Sequence, residues 1–576
     1  MLAGIRTAVN SKFTGMQLIE ITLQCKVSNN YRPRDIVIPL FRSSYIFYVL
    51  VGSSLAYWGF VFATQLFFVD KQLFVVLHDE AMMSMRFAKN WADGFGIFWN
   101  KGGSPEGYTN FLLVAIMALF HNFSTSYATM SIFIITLNWF FQIILIIIVY
   151  NVSEKYFETV ESALFSSIFS GFSLQLLYWG SGGFETTLLC CFAAIAIFFI
   201  LNDKLLFASL SLSLGVLARD DFTLLVFSLG ITLPFLCAEN WRMTWIYFSK
   251  LVWLPLFSFL GHLSWRLYYY GEALPNTYYL KATGWDYVVK IQEGAHYVLG
   301  SAPIITASLI GYYWIFRSVS DIKRKGLSVS LMLSIVLYTC YIINVGGDSF
   351  GGARLFSPMF IVFSFAGGFL VEKLRGKLVI AILIVGIFVF YPTDREGLHQ
   401  ATSWFRPILQ LTGIRNYGMS GYPVRYSSTI EIDKHPANVR NVQNCKLMRE
   451  HATENRIRNP SVAVYYAGVT PYLCHEFRAI DLLGKSDEHI ARMKVKFGRV
   501  GHNKFDYDYS LSVHAPIYFI SLMPSVASLT DRQYLNKKIG NFNWHLLPRS
   551  SEFMDNYSKY ALRPDHFPIF VRSDTR

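Results

Sequence analysis

The sequence is short of charge. Of its 576 residues only 15% are Asp, Glu, Lys or Arg, where a soluble domain carries about a quarter. It is also poor in cysteine chemistry. There are seven cysteines, with no CxxC pair and no Cys/His cluster at metal-ligand spacing. No small-residue cleavage site with polar sequence after it follows the first apolar run, so residues 45–69 read as an uncleaved span and not as a signal peptide. No internal repeat is visible, and charge is nearly absent from the middle of the apolar runs. His262 and Lys250 are the partial exceptions, each within a few residues of a span end. What fills the chain is apolar: 53% hydrophobic and 17% aromatic, in runs such as 132–150 and 188–201 that approach the roughly 20 residues needed to cross a bilayer.

The net charge of +13 would raise the question of nucleic acid in a soluble protein. Here the basic residues collect in short loops between apolar runs, which is a topological pattern, and no nucleic-acid partner is expected. Spans are expected near 45–69, 126–150, 159–179, 184–201, 205–218, 222–239, 243–266, 296–316, 328–344, 355–372 and 377–391. The apolar stretch 111–120 is too short to span and reads as a helix lying at the surface. With the basic segment 1–44 in the cytoplasm, the two most basic short loops, 317–325 and 372–377, then also fall inside, as the positive-inside rule asks. The expected fold is mainly α: a polytopic membrane protein of about eleven transmembrane helices over residues 45–391, with a first outer loop at 70–125. A C-terminal extracytoplasmic α/β domain occupies 392–576. Within it, 461–466 and 478–483 read as strands and 487–494 as a helix. Cys445 and Cys474, the only cysteines of that domain, either close a loop of about 30 residues or remain free thiols.

Polar residues that membrane insertion does not require gather on the outward side. They are Asp79 and Glu80; Glu106, Tyr108 and Asn110; Glu185; Arg219, Asp220 and Asp221; Asn276 and Lys281; Asp348 and Arg354. One such residue at a membrane boundary is ordinary snorkelling or helix capping. Acid clusters and arginines from five loops on one face point to a pocket for an anionic substrate. His78-Asp79-Glu80-Ala81 opens a helix that runs to about Asp93 and stops at Gly94 and Gly96. Its Met82, Met83, Met85 and Phe87 against Arg86, Lys89 and Asn90 predict an amphipathic helix on the membrane surface. Asp79 there is either a helix cap or a general base for an acceptor hydroxyl.

The first loop resembles a known family. Asp79-Glu80-Ala81, Arg86 to Asn90, Asp93-Gly94, Gly96, Asn100 and Glu106-Gly107-Tyr108-Thr109-Asn110 are similar to the first-loop signature of the terminal β-(1→2)-arabinofuranosyltransferase family, membrane glycosyltransferases of the GT-C superfamily. Further matches follow in the same order: Gly182 to Thr186; Arg219-Asp220-Asp221; Leu274 to Tyr278 with Lys281; Gly346-Gly347-Asp348 through Arg354 and Pro358; then Arg478 to Gly484, His489 to Arg492 and Gly501 to Lys504. The matches cover about 79–510. Asp220 stands where the family has proline and Phe184 where it has methionine. The resemblance implies a GT-C fold and transfer of a sugar, arabinofuranose-like or another pentose or hexose, from a polyprenyl-phosphate donor. The acceptor would be a cell-envelope glycan or lipid on the outer face of a bacterial inner membrane. It gives Asp79 the part of catalytic base and Arg354, Lys281 and Arg219 the donor phosphate. Glu80, Glu185 and Asp348 would orient sugar hydroxyls, with Glu106, Tyr108, Asp221 and Asn276 as further binding residues.

Local readings stand beside these. Arg219 has an ion-pair partner in Asp221, Asp348 and Arg354 can form a salt bridge within their loop, Tyr108 suits an interfacial belt, and Glu106 can simply fix its loop. A divalent cation at Asp79/Glu80 has suitable oxygen ligands, but with Lys and Arg available for the phosphate no metal or other cofactor is expected. The rival functions are another undecaprenyl-linked transferase or ligase and a transporter, which would place ionisable groups mid-span on inverted repeats.

Overall fold

Hydropathy and length decide most of the chain, and the computed structural model is mainly helical over the apolar part. It describes residues 44–374 apart from 104, 124, 125, 158, 239 and 349–352, residues 436–520 apart from 497–499, and residues 550–561 and 569–573. Helix α1 (Ser44–Gln65) is followed by a hairpin of β1 (Leu66–Val69) and β2 (Gln72–Val75), then α2 (Asp79–Ala92) and α3 (Phe111–His121). The apolar helices follow: α4 (Tyr127–Tyr156), α5 (Val160–Phe172), α6 (Leu174–Ser181), α7 (Thr186–Leu201), α8 (Leu205–Ala218), α9 (Thr223–Cys237) and α10 (Trp241–Tyr270). After the short α11 (Asn276–Ala282) come α12 (Tyr287–Leu299), α13 (Ala302–Ser318), α14 (Ile322–Val345) and α15 (Phe360–Lys373).

Among the described residues six helices are long and apolar enough to cross a membrane, or seven if the pair α12 and α13, bent by 69°, counts as one span. The expected spans at 184–201 and 205–218 are present as shorter apolar helices, and the one at 377–391 lies outside the described residues. The first expected span ends early: its last residues, Leu66–Val69, pair with Gln72–Val75 as an antiparallel hairpin. Asp70 and Lys71 have φ of 49° and 67°, the left-handed pair that a two-residue hairpin turn requires. The run expected over 159–179 is present as one of the six spans, Val160–Ser181, with a local interruption of the helix at Ser173 between α5 and α6.

The C-terminal segment is α/β. Its elements are α16 (Pro436–Glu454), β3 (Ser461–Val464), α17 (Val469–Leu473), β4 (Arg478–Asp481), α18 (Glu488–Arg492), α19 (Tyr507–Ser512), β5 (Tyr518–Ile520), α20 (Ser551–Asn556), β6 (Tyr557–Ala561) and β7 (Ile569–Arg572). The sheet order is β4-β3-β5-β7-β6, with β3 parallel to β4 and β5 and the β5–β7–β6 edge antiparallel. The strand period of two assigns the faces. Val462, Val464, Tyr518, Ile520, Ile569 and Val571 join one core, and the interleaved Ala463, Phe519 and Phe570 another. The first of these cores also takes in Met82, Met83, Met85 and Phe87 of α2. The membrane-proximal loop and the C-terminal sheet therefore share one hydrophobic interior within the unit Val49–Arg576.

That shared core buries both faces of α2, where its amphipathic pattern predicts an open polar one. Residues Ala81 to Ala88 are all buried, as is Asn90. Arg86, on the face expected to meet water, is 2% exposed. Its guanidinium donates to the carbonyls of Trp99 (2.5 Å), Phe477 (2.9 Å) and Pro471 and to Asn100 Oδ1 (3.0 Å). A buried cation is tolerated where its donors are satisfied, and here the C-terminal segment supplies two of the acceptors.

Cys445 of α16 and Cys474, at the end of α17, form a disulfide with Cα atoms 5.5 Å apart. The bridge closes a loop of 29 residues, worth about 3 kcal/mol in the chain-entropy account. Replacing both cysteines with alanine is expected to lower the stability of this segment by about that amount. Denaturant midpoints followed by proteolytic susceptibility would check it; equal midpoints for the two proteins would show that the cross-link does not matter.

Candidate active site

The head of α2 carries two adjacent carboxylates with opposite surroundings. His78 is the N-cap, its Nδ1 accepting from the Glu80 amide at 3.4 Å, so Asp79 does not cap its own helix. It caps another. Asp79 Oδ1 accepts from the backbone amides of Gly468 (3.1 Å) and Val469 (2.8 Å) at the start of α17. The approach needs glycine at 468, because a Cβ there would lie 1.7 Å from the Asp79 carbonyl oxygen. Burial pushes the Asp79 carboxyl up to about 6, against the pull of the Val469 and Gly468 amides and of Lys485, and with help from the like charge of Glu80.

Glu80 faces cations. Its Oε1 lies 2.7 Å from Lys485 Nζ and its Oε2 3.2 Å from Arg354 Nη1. Burial disfavours its charge, but Lys485, Lys281 and Arg354 outweigh that and hold its carboxyl well below the usual range. Arg354 also grips Asp348 Oδ2 through Nη2 (2.7 Å) and Nε (2.9 Å), and Lys281 Nζ reaches Asp348 Oδ1 at 3.2 Å. Asp348 is likewise held low, burial being overcome by Arg354 and Lys281. The guanidinium of Arg354 lies over the rings of Phe184 (5.2 Å) and Trp179 (5.9 Å), a cation–π setting. Ala353, just before it, has φ of 51°. A non-glycine residue in the left-handed region stores roughly 1–3 kcal/mol, and such strain collects at functional sites. In this cluster Lys281, Arg354 and Lys485 face Glu80 and Asp348: three positive charges against two negative, balanced when the neighbouring Asp79, which feels Lys485 and Glu80, is deprotonated.

The other expected residues sit around this cluster. Glu185 accepts from Asn110 Nδ2 (3.2 Å), whose Oδ1 takes the Ser84 hydroxyl (3.0 Å). Arg219 makes the local pair foreseen for it, Nε and Nη2 at 2.7 and 2.6 Å from the two oxygens of Asp221, with Glu185 at 3.6 Å. Asn276 spends its amide nitrogen on the carbonyls of Gly484, Lys485 and Asp487 (3.0, 3.0 and 3.2 Å), so it shapes the turn that carries Lys485. Glu106 and Tyr108 are both buried. Glu106 Oε2 lies 2.5 Å from Arg266 Nε, and Arg266 continues to Asp220 (3.0 Å), which His262 approaches at 3.6 Å. The Tyr108 hydroxyl meets that of Tyr270 at 3.3 Å and its ring packs on Phe87. The structure thus brings Glu80, Lys281, Asp348 and Arg354 together, joins Glu185, Arg219 and Asp221 in a neighbouring network, and puts Glu106 in a separate chain of ion pairs.

Two residues of this arrangement went unread in the sequence. Lys485 follows directly on the Arg478–Gly484 match and looks like any surface lysine of a charged segment. Arg266 sits at the end of an apolar run, where snorkelling is the ordinary explanation. His502, inside the Gly501–Lys504 match, is pushed down to about 4 by burial, with Lys281 and Lys485 adding to the effect. Its neutral ring therefore adds no cation. Among the described residues no three His, Cys, Asp or Glu side chains converge to hold a metal ion.

No family model matches the chain, and no curated protein matches it. Among solved structures it is similar to the apo form of the Archaeoglobus fulgidus oligosaccharyltransferase, at 10% identity and a TM-score of 0.49 over 92% of this chain and 75% of that one. It is similar to ArnT from Cupriavidus metallidurans, solved with undecaprenyl phosphate, at 11% identity and a TM-score of 0.49 over 92% and 98% of the two chains. A third is the mycobacterial arabinofuranosyltransferase AftD, at 12% identity and a TM-score of 0.43, with 92% of this chain and 40% of that one covered. At these levels the function proposed below rests on the site itself.

Proposed function

We propose that the chain is a membrane glycosyltransferase of GT-C type that moves a sugar from a polyprenyl-phosphate donor to an envelope glycan or glycolipid on the extracytoplasmic face. The observation that carries this reading is the split pair at the head of α2: Asp79 raised to about 6 and Glu80 held low among three cations. Adjacent carboxylates pushed apart in this way divide into a base and an electrostatic group. Asp79 takes the proton of the acceptor hydroxyl as its oxygen attacks the anomeric carbon. The bond from that carbon to the phosphate oxygen breaks, and polyprenyl phosphate leaves with the electron pair. Lys281, Arg354 and Lys485 hold the departing charge, the largest service such a site can give. Once Asp79 has taken the proton, the cluster is left with one positive charge in excess, which suits an anionic leaving group. Both Glu80 oxygens are committed to Lys485 and Arg354, and Asp79 Oδ1 to two amides, which supports a reaction without a divalent cation.

The test is reconstitution. The purified chain in liposomes, given radiolabelled polyprenyl-phosphate sugars of several kinds, should release polyprenyl phosphate and label an envelope acceptor fraction. If it leaves every donor intact, the proposal fails. The proposed orientation, with eleven spans and an extracytoplasmic C-terminal domain, has its own check. In intact cells of a variant with the native cysteines removed, Ser320→Cys is expected to resist a membrane-impermeant thiol reagent that labels a cysteine introduced in the C-terminal segment. Equal labelling at the two positions would overturn the topology.

A further inference from the structure

Helix α17, whose first amides hold Asp79, is five residues long. A helix that short does not hold its own shape, because nucleation costs more than a single turn returns. Its place is set from outside. Two contacts come from the first loop: Trp99 Nε1 donates to the Ala467 carbonyl at 2.9 Å, just ahead of Gly468, and Arg86 donates to the Pro471 carbonyl. The other grip comes from α16, a helix of 19 residues. Its Asn441, Cys445 and Arg449 recur every fourth position and so share one face. Each holds a different point of α17. Asn441 Oδ1 accepts from the Thr470 hydroxyl at 3.0 Å, Cys445 is bonded to Cys474 at the C-cap, and Arg449 Nη2 donates to the Leu473 carbonyl at 2.6 Å. Arg449 is itself anchored on Glu476. Asn441, Cys445, Thr470, Leu473 and Cys474 are all buried.

We propose that this stripe of α16 is a splint that positions the Asp79 carboxylate through α17; the proposal rests on the transferase reading above. The path is short and continuous. The stripe fixes both ends of α17, α17 aims the amides of Gly468 and Val469, and those amides meet Asp79 Oδ1 at 3.1 and 2.8 Å. With Oδ1 held there, Oδ2 is left to take the proton of the acceptor. The charged groups that act on Asp79 lie off the splint: Glu80 is on its own helix and Lys485 follows β4, while His78 before it is pushed down to about 4 by burial and is neutral. Loosening the splint therefore works on Asp79 through the two amides. Tyr472 and Leu473 keep α17 in the core it shares with α2, so burial persists. A buried carboxyl that loses donors to its charged form is driven toward the protonated one.

Difference infrared spectra of the full chain in detergent, each protein against its Asp79→Asn counterpart, follow the Asp79 carboxyl band with pH and need no turnover. Wild type should titrate with a midpoint near pH 6. Two splint variants, Cys445→Ala/Cys474→Ala and Asn441→Leu/Thr470→Val, alter no charge. Each is expected to move that midpoint up by about 0.5–1 in pH, as weakened hydrogen bonds to a carboxylate do. The second removes both partners of one buried bond, which proteins usually tolerate, so it decides the matter if the cysteine variant does not fold. Ser550→Ala is the control. It removes the N-cap of α20 in the same segment, costs stability and should leave the midpoint in place. In the transfer assay the splint variants should lower kcat about 10-fold or more, with the donor KM within about twofold of wild type. A midpoint that stays at wild type or falls in the splint variants overturns the positioning role. So does one that Ser550→Ala moves as far. A midpoint raised by the splint variants alone, in a chain whose wild type transfers no sugar, upholds the splint and sinks the transferase reading instead.

Discussion

Asp79→Asn is expected to lower sugar transfer by about 10²–10⁴-fold, the usual worth of a general base, with the protein still folded and still binding donor. The variant separates two duties of one side chain. Asparagine keeps an oxygen for the Gly468 and Val469 amides and caps a helix about as well as aspartate, so the junction with α17 survives. What it loses is the basic oxygen. If capping α17 is all that Asp79 does, the variant transfers sugar at close to the wild-type rate, and the base lies elsewhere. The pH profile gives a second reading. The carboxyl is raised from its ordinary value to about 6, and only the deprotonated form accepts a proton. Wild-type kcat/KM is therefore expected to be half-maximal near pH 6, to level off about one pH unit above it, and to fall below it with a slope of one proton. A wild-type profile flat down to pH 5 would contradict the assignment.

Arg354→Lys should act on the donor instead. It keeps the charge and loses the planar fork that spans Asp348 and Glu80. A lysine cannot reach both carboxylates from that backbone with the same geometry, and one of them is left short of a charged donor. The guanidinium is no longer held to face the donor phosphate, and losing one charge-assisted hydrogen bond to that phosphate costs about 1.5–3 kcal/mol, so the donor KM is expected to rise roughly 10–150-fold. The acidic limb near pH 6 should stay where it is, since Asp79 is untouched. A donor KM equal to wild type would show that Arg354 only braces its loop.

Much of the membrane part was legible because it depends on hydropathy, a property of each residue with its near neighbours. The breaks were less so. Ser173 between α5 and α6, and the 69° bend between α12 and α13, interrupt apolar runs whose composition does not change across them. The helix α2 was misread for a different reason. Its Met and Phe against Arg, Lys and Asn make a fair amphipathic pattern, yet both faces are buried, because the groups that satisfy Arg86 include the carbonyls of Pro471 and Phe477. Backbone carbonyls have no sequence signature, and neither have the two amides that hold Asp79. In the site, residues that form short motifs, such as Asp348 with Arg354, could be seen together. Lys485 could not, since its meaning comes from Glu80 some four hundred positions away.

That distance has a consequence for how the protein is made. Arg86 and its acceptor at Pro471 are separated by 385 residues. At ribosomal speeds of about 5–20 residues per second, roughly 20–80 s pass between the emergence of the first and of the second. During that interval α2 has been synthesised with its Met82, Met83, Met85 and Phe87 and a guanidinium that has Trp99 and Asn100 at hand but still lacks the carbonyls of Pro471 and Phe477. The nascent chain must carry this unfinished helix until almost the whole polypeptide has been delivered. Truncation anywhere before about residue 470 should then yield a protein that inserts its spans yet leaves α2 open to protease, while the complete chain shields it.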